Sequence, residues 1–168
     1  EHTYQVRTVN AAGEYSNWSE AVTYVTDDDP FRNTPTPPHI DWEGTIYSNR
    51  TANLAFDHEF QSGDGGFHSG GGDLGKALTV DYGKSYQLDK IEYYPRTDAG
   101  NGTVTQMEIS TSIDGIHWSD PQTYNFNRDA TTKTVDMKGT TARYVRFIPR
   151  ASVGGFFSAS EILVYKED

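Results

Sequence analysis

The sequence contains no cysteine, so no disulfide framework stabilises the fold and no thiol nucleophile is available. Its first residues are polar and no apolar run reaches about 18 residues, so we expect neither a signal peptide nor a membrane helix. Basic residues are scarce, because 14 Lys and Arg stand against 24 Asp and Glu, for a formal net charge of −10. A chain this acidic is a poor candidate for binding nucleic acid phosphates or an anionic membrane.

Aromatic and β-branched residues are abundant instead. Aromatic side chains make up 13% of the chain, and 16 glycines are spread along it. This composition favours pleated, half-buried strands. No long segment repeats apolar residues at the three- and four-residue spacing of an amphipathic helix. The sequence therefore predicts an all-β protein.

Residues 1–26 have the pattern of a single β-hairpin. Tyr4, Val6 and Thr8 alternate at the two-residue period of a strand in HTYQVRTVN, AAGEYSNWS turns around Gly13, and EAVTYVT returns as a second strand. The pattern resembles the last two strands of a fibronectin type III domain. Two such strands have no core of their own, so we expect the hairpin to pack on the neighbouring domain or to pair with another chain.

Residues 27–39 predict a linker, because consecutive acids repel one another and four prolines in TDDDPFRNTPTPPH favour an extended chain. Over residues 40–168, candidate strands alternate with turns rich in Gly and Asp. These candidates are GTIYS, ALTVDYG, YQLDKIEYYP, VTQMEISTS, QTYNFN, KTVDM, RYVRFIP and EILVYK. They predict an eight-stranded antiparallel jelly-roll or β-sandwich.

Six motifs of this second part resemble, in the same order, those of the discoidin domain, also called the coagulation factor 5/8 type C domain. They are ANLAFDHEFQS, FHS, LTVDYGKSYQLDKIEYYPR, STSIDGIHW, ARYVRF and SASEILVY. Among such domains the pattern is most similar to the family 32 carbohydrate-binding modules of bacterial glycosidases, over residues 36–168. The resemblance implies a galactose-binding-domain-like fold and a sugar ligand, although discoidin domains also bind phospholipid surfaces and proteins.

The loop LAFDHEFQSGDGGFHS concentrates acidic and histidine side chains, which allows three interpretations. Asp57 and Glu59 could be a catalytic pair, part of a metal site, or solvated charges of a polar loop. Glycosidase carboxylates flank a cleft at roughly 5 to 10 Å, and a small sandwich leaves little room for one. No serine lies in a Gly-x-Ser-x-Gly elbow. We therefore expect that this chain is not an enzyme.

The resemblance implies that this loop holds a structural Ca²⁺ ion through side-chain and carbonyl oxygens, which hard cations prefer. The matching residues are Leu54, Asp57, Glu59, Ser62, Ser160 and Glu161. His58 stands where the related domains have Gly, which predicts strain if the turn needs a positive φ. Three extra residues after Ser62 bring Asp64 into the loop, as an extra ligand or as a solvated charge. A polar loop without metal is the alternative.

The resemblance also implies a sugar site at the loop tips. Aromatic rings stack on the C–H faces of sugars, and directional polar side chains bind the hydroxyls. The residues expected to do so are His68, Arg96, Asn101, Phe156 and Phe157. Arg96 could instead only pair with Asp98, Asn101 could only shape its turn, and His68 could be an ordinary strand residue. Alternation would point one of the two phenylalanines inward.

These features predict a non-catalytic carbohydrate-binding module of a larger glycosidase, such as a β-hexosaminidase or chitobiase-type enzyme. Such a protein is expected outside the bacterial cell, in the periplasm or on the cell surface. The expected ligands are terminal galactose or N-acetylhexosamine residues of glycans. A cell-adhesion or membrane-surface discoidin domain is the alternative, but it needs several apolar loop tips among basic residues, and this chain has one Phe-Phe loop and a net charge of −10.

Overall fold

The structure is a computed structural model that describes residues 2–24, 29–61 and 65–168. The chain divides into two compact units, Glu1–Arg32 and Asn33–Asp168. Within the described ranges there is no α-helix. None of the helical turns there is long and apolar enough to cross a membrane. The prediction of an all-β protein is confirmed.

The first unit contains the predicted hairpin. Its strands, β1 (His2–Tyr4) and β2 (Val22–Tyr24), pair antiparallel and are only three residues long. Between them, the Arg7 guanidinium lies over two aromatic rings, 3.9 Å from the Tyr15 centroid and 4.4 Å from the Trp18 centroid. This stack orders the long connection between the two strands.

The described residues of the second unit form eight strands. They are β3 (His39–Trp42), β4 (Phe67–His68), β5 (Leu78–Tyr94), β6 (Val104–Ser112), β7 (Gln122–Asn125), β8 (Lys133–Ser152), β9 (Ser158–Ala159) and β10 (Glu161–Lys166). β5 and β8 each join two segments that the sequence predicts as separate strands, and β3, β4 and β9 are not among the predicted segments. The equal number of strands therefore results from differences that cancel. The predicted strand GTIYS is wrong, because only Ile46 in it pairs, through an isolated bridge to Ser69. Short 3₁₀ turns occupy Ala52–Ala55 and Val153–Gly155.

The two long strands, β5 and β8, contribute to two layers. The first part of β5 (Leu78–Asp81) pairs with β3 and with the second part of β8, which continues to β6 and β7. After a register break, the second part of β5 (Tyr86–Tyr93) pairs with the first part of β8 and with β10. We call these the five-stranded and the three-stranded layer. Gly83, at φ +75°, lies at the break in β5, where a residue without Cβ tolerates the backbone bend.

One hydrophobic core joins the layers. Leu78 and Val80 from the first part of β5 are buried together with Leu88 and Ile91 from its second part. Burial of large side chains from both layers stabilises the sandwich by about 25 cal/mol for each Å² of apolar surface removed from water. The core therefore holds the loops at the ends of the strands on a rigid scaffold.

The second unit begins before the predicted boundary at residue 40. Thr34 is buried, the Asn33 carbonyl accepts a hydrogen bond from the Lys166 amide, and the Asn33 side chain donates to Asp168. Part of the predicted linker, from Asn33 onward, is thus attached to the last strand, whereas residues 27 and 28 lie outside the described ranges.

Candidate functional site

A cavity of about 210 Å³ opens at one end of the second unit. It is lined by Tyr47, His68, Arg96, Asn101 and Phe156, which come from four separate loops and strand ends. Four of these five residues are among those that the sequence predicts for sugar binding. The fold therefore brings together His68, Arg96, Asn101 and Phe156, although up to 88 positions separate them in the sequence.

His68 forms the floor of this cavity. It lies in the short strand β4, which pairs with β9, and only 6% of its surface is exposed. Its Nδ1 lies 2.8 Å from the Ser69 carbonyl oxygen. Because a carbonyl can only accept, Nδ1 carries the hydrogen, and Nε2 of the neutral ring is left as an acceptor.

Arg96 is held in place by a bidentate pair. Its Nε donates to Asp98 Oδ1 at 2.9 Å and its Nη2 to Asp98 Oδ2 at 2.7 Å. The Arg96 guanidinium, followed by the Gly100 amide, lowers the pKa of Asp98 to about 2, so the pair stays charged at neutral pH. The ion pair between Arg96 and Asp98, which the sequence analysis gave as an alternative role for Arg96, is therefore present. It also orients a guanidinium that lines the cavity.

Asn101 joins the turn after Arg96 to the loop after β8. The Gly102 amide donates to the Val153 carbonyl oxygen at 2.8 Å. Gly154 has φ +70°, and a Cβ at this position would lie 2.7 Å from Asn101 Oδ1. The two loops approach this closely only because Gly154 has no side chain.

Phe156 and Phe157 have different environments, which corrects one prediction. Phe156 is partly exposed, and its ring centroid lies 5.2 Å from that of His68. Phe157 is 0% exposed and packs edge-on against Phe67 at 5.2 Å and against Trp42 at 5.9 Å. Phe157 is therefore a core residue with no surface for a ligand, and the expectation that it binds sugar is wrong.

Tyr47 is the residue of the cavity that the sequence analysis missed. It is 59% exposed, and its ring centroid lies 5.4 Å from that of His68, so His68 has ring contacts with Tyr47 as well as Phe156. The Tyr47 amide donates to the His68 carbonyl oxygen at 2.9 Å. The sequence analysis placed Tyr47 in the predicted strand GTIYS and therefore did not consider it for a loop-tip site.

The acidic loop lies against the start of β10. Glu161 is fully buried, and among the described residues neither of its carboxyl oxygens accepts a well-formed hydrogen bond. Burial raises the pKa of Glu161 to about 8; the His58 amide opposes the rise, and the Asp57 carboxylate adds to it. The structure thus brings together Asp57 and Glu161, which are 104 positions apart in the sequence.

Three of the other residues predicted for the cation site are described, namely Leu54, Glu59 and Ser160. Leu54 belongs to the 3₁₀ turn, which packs against β10, and Ser160 donates through Oγ to the Gln61 carbonyl oxygen at 2.8 Å. Glu59 is exposed, and its amide donates to Asp57 Oδ1 at 2.9 Å. Ser62 and Asp64 lie outside the described residues. In the ranges that are described, no three His, Asp or Glu side chains converge, so a cation here would depend on carbonyl oxygens as well.

His58 adopts the positive φ that the sequence analysis considered. Its φ is +63°, a left-handed conformation that is uncommon for residues with a side chain. Its Nε2 lies 3.3 Å from Oγ1 of the buried Thr34. The loop therefore contacts the segment where the chain enters the second unit.

Comparisons with known proteins agree with this architecture. The F5/8 type C domain matches residues 39–162. The chain is similar to CBM32-1 from a family 31 glycoside hydrolase of Clostridium perfringens, with 29% identity and a TM-score of 0.74, over 82% of this chain and 100% of that one.

Two further modules of Clostridium perfringens have the same fold. CpGH89CBM32-5, solved in complex with GalNAc-β-1,3-galactose, is 26% identical, with a TM-score of 0.68 over 76% of this chain and 94% of that one. The family 32 module of NanJ, solved in complex with galactose, is 24% identical, with a TM-score of 0.66 over 80% of this chain and 98% of that one. This chain belongs to the F5/8 type C domain family, and its second unit is homologous to family 32 carbohydrate-binding modules.

Proposed function

We propose that this chain is a non-catalytic module that binds terminal galactose or N-acetylhexosamine residues of glycans in the cavity at the loop tips. The observation that carries the proposal is the convergence of an exposed and a partly exposed ring, a buried imidazole, an oriented guanidinium and a carboxamide on one cavity of about 210 Å³. This set contains the apolar and the polar groups that a pyranose needs.

Different side chains of the cavity contact different parts of the sugar. Phe156 and Tyr47 offer ring faces to the C–H groups of the sugar. Arg96 donates hydrogen bonds from a guanidinium whose orientation Asp98 maintains. In the tautomer with hydrogen on Nδ1, the His68 ring accepts a hydrogen bond from a hydroxyl through Nε2, because Nδ1–H donates to the Ser69 carbonyl oxygen. A ligand must therefore present a hydroxyl that both donates and accepts beside an apolar face.

The choice of ligand is supported by similarity and by size. The neighbour at 26% identity was solved with GalNAc-β-1,3-galactose, a disaccharide of the proposed class. The cavity holds about one sugar residue, so we expect weak binding, since a small contact area offsets little of the entropy lost on association. A weak module is useful when it is tethered to an enzyme, because tethering raises the local concentration of the enzyme at its substrate.

The parent protein is proposed to be a glycosidase, of the β-hexosaminidase or chitobiase type, that acts outside the cell or on its surface. Residues 1–26 are proposed to be the end of a fibronectin type III domain in that protein. Val6 and Val22 on the hairpin are 71% and 66% exposed, which supports either packing on further residues of such a domain or pairing with another chain.

A structural Ca²⁺ ion is proposed at the acidic loop. Asp57 and Glu161 would hold it with their carboxylates. Leu54, Glu59 and Ser160 would contribute backbone carbonyl oxygens, and Ser62 its hydroxyl and carbonyl oxygens. The support is the buried Glu161, whose carboxyl oxygens lack well-formed partners among the described residues while a second carboxylate adds negative charge. A bound divalent cation would neutralise this charge and join the loop to β10.

A glycan array probed with the whole chain tests the proposed function. We expect binding to glycans that end in galactose or N-acetylhexosamine, and titration calorimetry should show a loss of at least about tenfold, or ~1.4 kcal/mol, for Phe156→Ala and for Arg96→Ala. Ile116→Ala and Arg150→Ala are matched controls, because the first removes an exposed apolar side chain and the second a surface guanidinium outside the cavity. Binding to liposomes without any glycan signal would contradict the proposal.

A further inference from the structure

A second cavity, which we call the lateral cavity, opens at the side of the second unit. Its volume is about 390 Å³, compared with about 210 Å³ for the cavity at the loop tips. Its lining comes from β6, β7 and the connection between them on one side, and from the first part of β8 on the other. It therefore lies where an edge of the five-stranded layer faces an edge of the three-stranded layer, and it shares no residue with the cavity at the loop tips.

The floor of the lateral cavity is apolar and rigid. Ile109 and Met137 are 4% and 7% exposed and belong to the hydrophobic core. The Tyr124 ring is partly buried and packs against the same core. The cavity thus offers an aromatic ring and an aliphatic surface that are already fixed before any ligand binds.

The rim is polar and internally braced. Ser119 Oγ accepts a hydrogen bond from the Thr111 amide at 3.0 Å, and the Ser119 amide donates to the Thr111 carbonyl oxygen at 2.9 Å. Gln122 Nε2 donates to the Asp120 carbonyl oxygen at 3.4 Å. These bonds hold the connection between β6 and β7 over the cavity and leave the Asp120 carboxylate on its rim.

The charge of the lateral cavity is negative. Asp120 and Asp136 line it and no Lys or Arg does, and neither carboxylate forms an ion pair within the described part of the chain. The nearest cation along β8, Lys138, pairs instead with Asp89 at 3.7 Å. Burial, and after it the Asp136 charge, raise the pKa of Tyr124, so the Asp136 carboxylate acts on the tyrosine hydroxyl in the cavity.

We propose that the lateral cavity binds a sugar residue that carries a free ammonium group, such as glucosamine. Asp120 and Asp136 attract the ammonium group, and the Tyr124 ring adds a cation–π or stacking contact. The hydroxyl and amide groups of Thr111, Ser119 and Gln122 are suited to the sugar hydroxyls. This inference goes beyond the proposed function, because it gives the module a second site with a ligand of different charge.

Three sugars that differ only at C2 test the inference: glucosamine, N-acetylglucosamine and glucose, each titrated into the ¹⁵N-labelled whole chain at pH 6.5 and followed by amide chemical shifts. We expect glucosamine, and neither of the other two, to shift the amides of Thr111, Ser119 and Gln122 in a saturable way. Asp136→Asn should weaken this binding by up to about fivefold, because Asp136 is exposed and an exposed ion pair contributes at most about 1 kcal/mol. Asp41→Asn removes an exposed carboxylate on β3 and should have no effect.

The cavity at the loop tips provides an independent control. Arg96→Ala should weaken sugar binding there by at least about tenfold and leave the glucosamine shifts at the lateral cavity unchanged. The two proposed sites are therefore tested independently of each other. Equal shifts for the three sugars, no shifts at these amides, or loss of the glucosamine response in Arg96→Ala would each overturn the inference.

Discussion

Glu161→Gln should change stability in opposite directions with and without calcium. The carboxyl group is 0% exposed, and burial raises its pKa from 4.5 to about 8. Between these two pH values the native state without metal keeps a proton that the unfolded chain has released. The unfolded state then binds fewer protons, so the free energy of unfolding falls as the pH rises through this window.

The size of the effect follows from the same pKa difference. A pKa difference of one unit corresponds to about 1.4 kcal/mol. At pH 8 the free energy of unfolding of the metal-free wild type should therefore be roughly 4 kcal/mol lower than that of a variant with a neutral isostere. At pH 5 the difference should be only about 1 kcal/mol. In EDTA, urea unfolding at a series of pH values should therefore find Glu161→Gln more stable than the wild type, with a gap that widens from pH 5 to pH 8.

Calcium should reverse this order. A ligand at a ten-thousandfold excess over its Kd stabilises the native state by about 5.5 kcal/mol, which exceeds the gap at pH 8. At this excess the wild type should gain about as much, while Glu161→Gln gains little. Glu59→Gln is the matched control, because only the carbonyl oxygen of Glu59 is proposed as a ligand, so it should keep the calcium response. A gap in EDTA that does not vary with pH would refute the burial argument, and an undiminished calcium response in Glu161→Gln would refute the assignment of the ligand.

Three further substitutions test the loops. Gly154→Ala should reduce galactose affinity by about tenfold in calorimetry, because the new Cβ would lie 2.7 Å from Oδ1 of Asn101, a residue that lines the cavity. Gly155→Ala is the control, since Gly155 has φ +76° and a Cβ there would meet no atom within 4 Å. It should cost a similar backbone strain of about 1 kcal/mol and leave the affinity intact. Tyr47→Ala should weaken galactose binding severalfold and Tyr47→Phe should not, if the ring face makes the contact; equal losses would assign the role to the hydroxyl. His58→Gly should have a free energy of unfolding about 1 kcal/mol higher than His58→Ala, because both variants lose every contact of the His58 side chain and only glycine relieves the positive φ. Equal stability of the two variants in urea unfolding would show that the backbone at this position is not strained.

The sequence motifs predicted four of the five residues that line the loop-tip cavity, because each motif indicates where its residues lie in the fold. Arg96 follows a strand that ends in Tyr-Tyr-Pro, and His68 follows an aromatic strand residue, so each could be assigned to a loop tip from local pattern. Tyr47 was missed because its alternating neighbours Thr45 and Ile46 have the pattern of a strand, while the chain there follows bonds to β4 and Asp73 instead. Local alternation does not record such long-range partners.

Local alternation also could not predict which of Phe156 and Phe157 points into the core. Alternation predicted that one ring points inward, but the choice depends on hydrogen bonds to a residue 88 positions earlier. The Phe157 amide donates to Ser69 Oγ, and the Ser69 amide donates to the Phe157 carbonyl oxygen, each at 2.8 Å. This pairing turns Phe157 toward Phe67 and leaves Phe156 at the cavity.

The same short ladder connects the two sites of the second unit. Strands β4 and β9 pair His68 with Ser158 and Phe67 with Ala159, and Glu161 follows two residues later. Gly66, just before this ladder, has φ +76°, and a Cβ there would lie 2.3 Å from the Ala159 carbonyl oxygen, so the acidic loop approaches β9 without room for a side chain. A cation that holds the loop against Glu161 would therefore also hold the strand that carries His68. A calcium ion bound at this place would then act on sugar binding through the position of His68, without any contact between the ion and the sugar.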